Sequence, residues 1–302
     1  MKKKKIYIAG AGGMLGEAFY ALLHENHILR CTDIDLNTSW LSYLDFRDYA
    51  AYRKEVIDFA PDYLFHLGAY TDLEFCENNE EDTYATNTLA VENAVYIAND
   101  LDIPLLYIGT AGIFDGQKEY YDDWDSPNPL GVYARSKYMA ERFVVENARK
   151  YLVCRAGWMM GGGPEKDKKF IQKILTQIKA GKRELYVVDD KDGTPTYTRD
   201  FAVTVMELLS KGYWGVFNTV CSGQTSRLEV ARELVRIIGK DSEVQIHPVS
   251  SDFFKETYFA VRPASERLVT RKLDLRGLNR MQNWKEALKT YIEQYYQGYL
   301  ES

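Results

Sequence analysis

The sequence predicts an α/β fold, a doubly wound parallel sheet with a smaller C-terminal lobe, and three observations predict it. Short apolar runs at residues 6–9, 63–67, 105–108 and 152–154 read as buried strands. Helix-length amphipathic patterns at 14–24, 83–99 and 134–149 separate several of them, the alternation that builds a parallel sheet with right-handed crossovers. A glycine turn, Gly10-Ala11-Gly12-Gly13-Met14-Leu15-Gly16, follows the first strand at once.

Taken in order, residues 1–157 read as a dinucleotide-binding Rossmann domain, opened by the strand at 6–9 and its glycine turn. Asp33 falls where the second strand should end. Beyond Trp158 the rhythm changes to a glycine cluster, a basic helical run over 166–182 and a Gly193-Thr194-Pro195-Thr196 loop. A second lobe is expected there, from 158–192 and 223–302, with 193–222 returning to the first domain through the segment 200–209 and the apolar run 214–220.

The composition excludes several classes. At 302 residues and 46% hydrophobic content the chain can bury a sizeable core. A net charge of −6 provides no broad basic surface, so nucleic acid is not an expected partner. Cys31, Cys76, Cys154 and Cys221 form no Cys-x-x-Cys pair, and the four histidines lack zinc spacing, so neither a disulfide framework nor a metal site is expected. The acidic stretch 71–82 reads as a solvated loop leading into a helix, and 189–192 as another loop. No membrane span follows the lysines at 2–5 or occurs later, and the expected location is the cytoplasm. The tyrosine-rich tail, Tyr291, Tyr295, Tyr296 and Tyr299, is expected to pack on the body or on a second subunit.

The spacing Gly10-x-x-Gly13-x-x-Gly16 lets backbone turn tightly and approach a pyrophosphate, with the following helix N-terminus facing the phosphate charge. Asp33 can accept hydrogen bonds from an adenosine ribose and repel a 2′-phosphate, which favours NAD over NADP, while nearby Arg30 keeps a phosphate in play. Asp45 and Phe46 are expected to border the adenine. Tyr133-Ala134-Arg135-Ser136-Lys137 places a phenol and an ammonium one helical turn apart, on the same side of a cofactor cleft. The lysine's charge is expected to lower the phenol's pKa, so that in a carbonyl reductase the phenol gives its proton to the developing alkoxide. Thr110, after the strand at 105–108, can hydrogen-bond the same oxygen.

Thr110, Tyr133 and Lys137 with the glycine turn resemble the extended short-chain dehydrogenase/reductase family. Ala69-Tyr70-Thr71, Asn87, Ile113-Phe114-Asp115-Gly116, Gly193-Thr194-Pro195-Thr196 and Arg262-Pro263-Ala264 occur in the order seen in its dTDP-4-dehydrorhamnose reductase branch, over nearly the whole chain. The resemblance implies a catalytic triad of Thr110, Tyr133 and Lys137. It implies a cofactor site formed by Gly10, Gly12, Gly13, Met14, Leu15, Gly16, Asp33, Asp45, Phe46, Leu67, Gly68, Ala69, Tyr70 and Asn87, with Tyr133 and Lys137. It also implies a nucleotide-sugar substrate contacted by Thr71, Thr110, Ala111, Trp158, Phe170, Thr196 and Arg262, the last on the diphosphate. Homodimerisation fits the family.

One segment departs from the pattern. The reductases typically read Ser-Thr-Asp-Tyr-Val-Phe-Asp-Gly where this chain has Gly109-Thr110-Ala111-Gly112-Ile113-Phe114-Asp115-Gly116. An acid and an aromatic are missing beside the reacting sugar, which changes the pocket's polarity and volume. The same gap removes the Asp-Glu pair of sugar-nucleotide dehydratases. The expected activity is NAD(P)H-dependent reduction of the 4-keto group of a nucleotide-activated deoxysugar. The competing expectations are a sugar-nucleotide 4-epimerase and a non-catalytic dinucleotide-binding subunit resembling the methionine adenosyltransferase β subunit.

Overall fold

The computed structural model describes residues 3–300 and opens on the apolar run marked as the first strand. Strands β1 (Lys5–Ala9), β2 (Ile28–Asp33), β3 (Leu41–Tyr43), β4 (Tyr63–His66), β5 (Leu105–Thr110) and β6 (Tyr151–Ala156) alternate with helices α1 (Met14–Leu23), α2 (Tyr49–Phe59), α3 (Leu73–Asn78), α4 (Glu80–Tyr84), α5 (Ala90–Asp100) and α6 (Val132–Asn147). There follow β7 (Trp158–Met160), α7 (Gly163–Lys166), α8 (Phe170–Lys179), β8 (Glu184–Val188), β9 (Asp192–Gly193), β10 (Pro195–Tyr197) and α9 (Thr198–Ser210). The chain ends with β11 (Gly215–Asn218), β12 (Thr225–Ser226), α10 (Arg227–Ile237), β13 (Gln245–Val249), β14 (Ser265–Glu266), α11 (Arg271–Leu275) and α12 (Trp284–Tyr295).

Seven strands form one sheet in the order β11-β6-β5-β4-β1-β2-β3, with every pairing parallel. Continuous apolar strands suit this because helices cover both faces: Ile6, Ile8 and Phe65 pack with Phe19 and Leu23 of α1, while Tyr7, Leu64 and Tyr107 pack with Tyr52 and Val95 on the other side. From β1 the chain runs outward to β2 and β3, then crosses back to β4, so the order reverses between β1 and β4. Parallel sheets open a crevice at the carboxyl ends of their strands at such a point. The glycine turn, Leu67 to Thr71, Thr110 and Trp158 all lie at or just beyond those carboxyl ends.

Outside the main sheet are three small ones, β12-β9-β14, β13-β8 and β10-β7. The expected loop at 193–196 is corrected here: all but Thr194 belong to β9 and β10, because β9 pairs with both β12 and β14, and β10 pairs with β7. The stretch 71–82 is likewise mostly helical, α3 and the start of α4, since Asp72 caps α3 by accepting a hydrogen bond from the Phe75 N–H at 2.9 Å. The helix expected over 83–99 is interrupted by a π-helical turn at Ala85–Leu89. All four cysteines are free and buried. Tyr291 and Tyr296 are buried against the core. Among the described residues no helix is long and apolar enough to cross a membrane, and no group of three or more His, Cys, Asp or Glu is arranged to hold a metal ion.

Candidate active site

Each glycine of the first turn has its own geometric reason. Gly10 sits at φ +73°, and a Cβ there would lie 2.3 Å from the Gly68 Cα, so β1 and the loop after β4 touch backbone to backbone. A Cβ on Gly16 would fall 2.0 Å from the Ala11 carbonyl oxygen, which is how tightly the turn folds onto α1. Gly13 differs: it is the N-cap of α1, no side chain caps the helix there, and a Cβ would meet nothing within 4 Å. The helix therefore presents open N–H groups to the crevice, the arrangement that receives a phosphate. Met14 and Leu15 open α1, and Leu15 packs into the core.

Asp33, at the end of β2, accepts hydrogen bonds from the Gly12 N–H at 2.8 Å and the Asp35 N–H at 2.9 Å, which fix its carboxylate beside the turn. Lys166, which the sequence did not mark, reaches across from α7 to donate to the Gly12 carbonyl at 2.9 Å and to Asn37. Phe46 packs where a Gly68 Cβ would stand, edge-on to His66. Asp45 is paired with Arg47 at 2.6 Å and turned to that partner. Asn87 lies in the π-helical turn and clamps the loop after β4: it accepts from the Tyr70 N–H at 2.8 Å, donates to the Tyr70 carbonyl at 3.1 Å and donates to Ser136 Oγ at 3.2 Å. The Ala69 to Thr71 loop is thereby tied to α6. Irregular helical turns of this kind recur at functional sites because they re-aim one side chain.

Helix α6 carries Tyr133 and Lys137 in its first two turns. Its N-terminus is held by Glu77, which accepts the Val132 N–H at 2.8 Å; a Cβ on Gly131 would collide with that carboxylate at 2.6 Å. Thr110 Oγ1 accepts from the Gly112 N–H at 3.1 Å, so the hydroxyl points into the cleft beside Tyr133. Burial pushes the Tyr133 phenol up to about 12, opposed by a hydrogen bond with Thr110 and reinforced by the charge of Glu266. The depression expected from Lys137 is absent. Lys137 itself is buried, with Nζ 4.3 Å from the centre of the Tyr107 ring, and burial pulls its pKa down to about 7 against the opposing charge of Glu141. His66 beneath the site is buried and neutral, pulled down to about 3 by burial and by Lys137.

The segments after β6 contribute an assembly the sequence did not announce. Trp158 Nε1 donates to Glu266 Oε2 at 2.7 Å, and the Arg227 guanidinium lies 3.7 Å from the Trp158 ring centre and 4.9 Å from that of Phe170. Trp158 needs Gly193: a Cβ there would stand 2.2 Å from the indole. Arg262, expected on a diphosphate, is held by Glu74 in a two-pronged ion pair, Nη1–Oε1 2.7 Å and Nη2–Oε2 2.9 Å. Thr196 is fully buried and accepts the Gly157 N–H at 2.9 Å. Thr71 is engaged by Lys169 Nζ, 2.8 Å from its hydroxyl. Ala111 is buried beneath the cleft floor at Gly112. Gly112, Tyr133, Glu266, Glu77 and Pro263 line one cavity together. No signal in the sequence marked Arg227 or Glu266, because each is brought to the site by a two-residue strand or its edge.

Comparison with known proteins agrees with this fold. The family model described as the RmlD substrate binding domain matches residues 4–297. A dTDP-4-dehydrorhamnose reductase of Mycobacterium tuberculosis is 31% identical over 297 residues, covering 96% of this chain and 93% of that one. Among solved structures, a dTDP-4-dehydrorhamnose reductase from Clostridium acetobutylicum superposes with a TM-score of 0.86 at 29% identity, covering 96% of this chain and 99% of the other. One from Bacillus anthracis, solved in complex with NADP, superposes with a TM-score of 0.88 at 26% identity, covering 97% and 99%.

Proposed function

The chain belongs to the RmlD substrate-binding domain family of extended short-chain dehydrogenases/reductases, and from that premise we propose that it is an NAD(P)H-dependent reductase of the 4-keto group of a nucleotide-activated deoxysugar, with dTDP-4-dehydrorhamnose the first candidate. The observation that carries the reading is the convergence of Thr110 and Tyr133 on one spot: a Cβ built on Gly112 would lie 3.5 Å from Thr110 Oγ1 and 3.8 Å from Tyr133 Cε1. A sugar carbonyl placed there lies beside the Thr110 hydroxyl and the edge of the Tyr133 ring, whose phenol hydrogen-bonds Thr110.

The open backbone at Gly13 and the uncapped N-terminus of α1 fit a dinucleotide pyrophosphate, with Asp33 toward the adenosine ribose and Asn87 steadying the loop that borders the nicotinamide half. A bound nicotinamide cofactor would supply the hydride. The phenol of Tyr133, with its pKa near 12, is protonated at neutral pH and fits the role of general acid to the forming alkoxide. Thr110 holds the carbonyl oxygen in place. Lys137, poised near neutrality, provides positive charge beneath the reacting centre when protonated. Asp33 supports a preference for NADH, because a 2′-phosphate would be brought against its carboxylate. Trp158 and Arg227 face the nucleotide-sugar, the first for ring contact and the second for the diphosphate.

The deciding experiment follows NADH and NADPH oxidation with freshly generated dTDP-4-dehydrorhamnose for wild type and Tyr133→Phe. Loss of the proton donor should lower kcat by about 10²- to 10⁴-fold with cofactor affinity and melting temperature retained. Turnover unchanged in Tyr133→Phe would refute the assignment.

A further inference from the structure

The hollow over Gly112 is occupied from the other lobe. A Cβ on Gly112 would stand 3.3 Å from Glu266 Oε1, closer than to Thr110 or Tyr133. Glu266 lies on β14, in register with Gly193 of β9, so the pairing that makes room for the Trp158 indole also aims this carboxylate at the cleft. Its Oε2 is fixed by Trp158 Nε1 at 2.7 Å, and Trp158 is in turn covered by the Arg227 guanidinium. Oε1 accepts no hydrogen bond among the described residues. The carboxylate is thus oriented by one oxygen and presented by the other, beside the two groups that face the carbonyl.

Residues 111 and 112 are Ala and Gly, so neither fills the space over the cleft floor with a long side chain. The Glu266 carboxylate stands in that space, and the absent side chain at 112 is what admits it. We infer that Glu266 is a substrate-recognition residue of this chain, its Oε1 accepting a hydrogen bond from the hydroxyl on the carbon next to the reacting carbonyl. In a 4-keto-6-deoxyhexose the carbons flanking C4 are C3, which bears a hydroxyl, and C5, which bears the methyl group. A carboxylate oxygen rewards the first and is desolvated without return by the second, so the hydroxyl is that of C3 and the sugar is oriented with C3 toward β14. The inference rests on the proposed reductase reading and names the specificity element of that same site.

The test compares a dTDP-4-keto-6-deoxyhexose with its 3-deoxy counterpart on wild type, Glu266→Gln and Glu266→Ala, with NADH as reductant. In wild type the 3-deoxy substrate should lose about 10- to 100-fold in kcat/KM, the range for one hydrogen bond to a charged acceptor. In Glu266→Ala that ratio should collapse to within about 3-fold, with Glu266→Gln between, because an amide keeps an acceptor without the charge. A residue that only supports Trp158 would depress both substrates equally and leave the ratio intact, and that result would overturn the inference. NADH titration by fluorescence, unchanged across the three proteins, confirms that the cofactor half is intact. Should wild type reduce neither sugar, the reductase reading fails by itself. Calorimetric binding of the unreactive dTDP-6-deoxyhexose and its 3-deoxy form then reads the same ratio without hydride transfer. A hydroxyl-dependent affinity lost in Glu266→Ala upholds Glu266, and an equal affinity for both ligands in wild type overturns it.

Discussion

Lys137 carries a measurable stability cost, and Lys137→Met should expose it. Burial holds the folded-state pKa near 7, against 10.5 for an ordinary lysine. Between those values the unfolded chain binds a proton that the native state does not, so wild-type stability rises with pH across that window and the full penalty applies below pH 7. Integrated, the penalty is about 4 kcal/mol at pH 7, about 2 kcal/mol at pH 9 and close to zero by pH 11. Methionine fills a similar volume with no charge to desolvate. It forfeits the contact of Nζ with the Tyr107 ring, 4.3 Å away, an attraction made by the protonated amine and so already contained in the lowered pKa. Lys137→Met should therefore be more stable than wild type by about 4 kcal/mol at pH 7 and about 2 kcal/mol at pH 9, with the difference gone by pH 11. Urea unfolding of both proteins at pH 6.5, 7.5, 8.5 and 9.5 reads the difference. Lys166, Lys169 and Lys272 are also depressed by burial, but they are common to both proteins and cancel in the subtraction. A stability difference that stays flat with pH, or a variant less stable at pH 7, would refute the reasoning. The accompanying loss of turnover is the usual exchange of activity for stability at a functional site.

The glycine turn separates fold from binding in two substitutions. Gly10→Ala meets Gly68 backbone at 2.3 Å from a positive-φ position and should cost at least about 2 kcal/mol of stability by thermal or urea unfolding. Gly13→Ala meets nothing in the protein and should fold normally while weakening dinucleotide binding at least about 10-fold by fluorescence titration; equal effects of the two on stability would contradict this division. Asp33→Ser removes the carboxylate beside the Gly12 N–H, and the ratio of kcat/KM for NADPH to that for NADH should rise by about 10-fold or more, since the repulsion of a 2′-phosphate disappears. No change in that ratio would place the ribose elsewhere.

The parts of the molecule legible in the sequence are those set by short-range pattern. Strand β1, the glycine turn and α1 are contiguous, so apolar periodicity and glycine spacing together announce them. Tyr133 and Lys137 share one helix, and their facing follows from helical geometry alone. What stayed hidden depends on tertiary pairing. The acidic stretch after Thr71 looks like a solvated loop, yet Asp72 caps α3, Glu74 holds Arg262 and Glu77 caps α6. Each carboxylate has a specific partner, and two of those partners are more than fifty residues away in sequence. The strands at 192–197 and 265–266 are too short for any periodicity to declare them. Glu266 and Arg227 reach the cleft on or beside such fragments, so no sequence pattern marks them.

Those hidden residues share an electrostatic circumstance with Lys137. Burial is the leading cause of a lowered pKa at Lys137, Lys166, Lys169 and Arg227 alike, in each case opposed by more distant carboxylates. Arg227 falls only to about 10 and stays charged, stacked on Trp158 and, among the described residues, in no ion pair. Lys137 is pulled to about 7. Lys137 and Arg227 are thus cations short of close counter-charge, and a dinucleotide and a nucleotide-sugar bound as proposed would both be anions that supply it. Anion binding must raise the Lys137 pKa, and by linkage a raised pKa takes up protons. At pH 7.5 a lysine of pKa 7 is about one quarter protonated, so binding should take up as much as about 0.7 proton. Calorimetric titration of NADH in buffers of different ionisation enthalpy measures that number directly. Uptake should shrink toward zero at pH 6 and vanish in Lys137→Met. Uptake that persists in the variant would move the titrating group away from Lys137, and with it the account of how this site is charged.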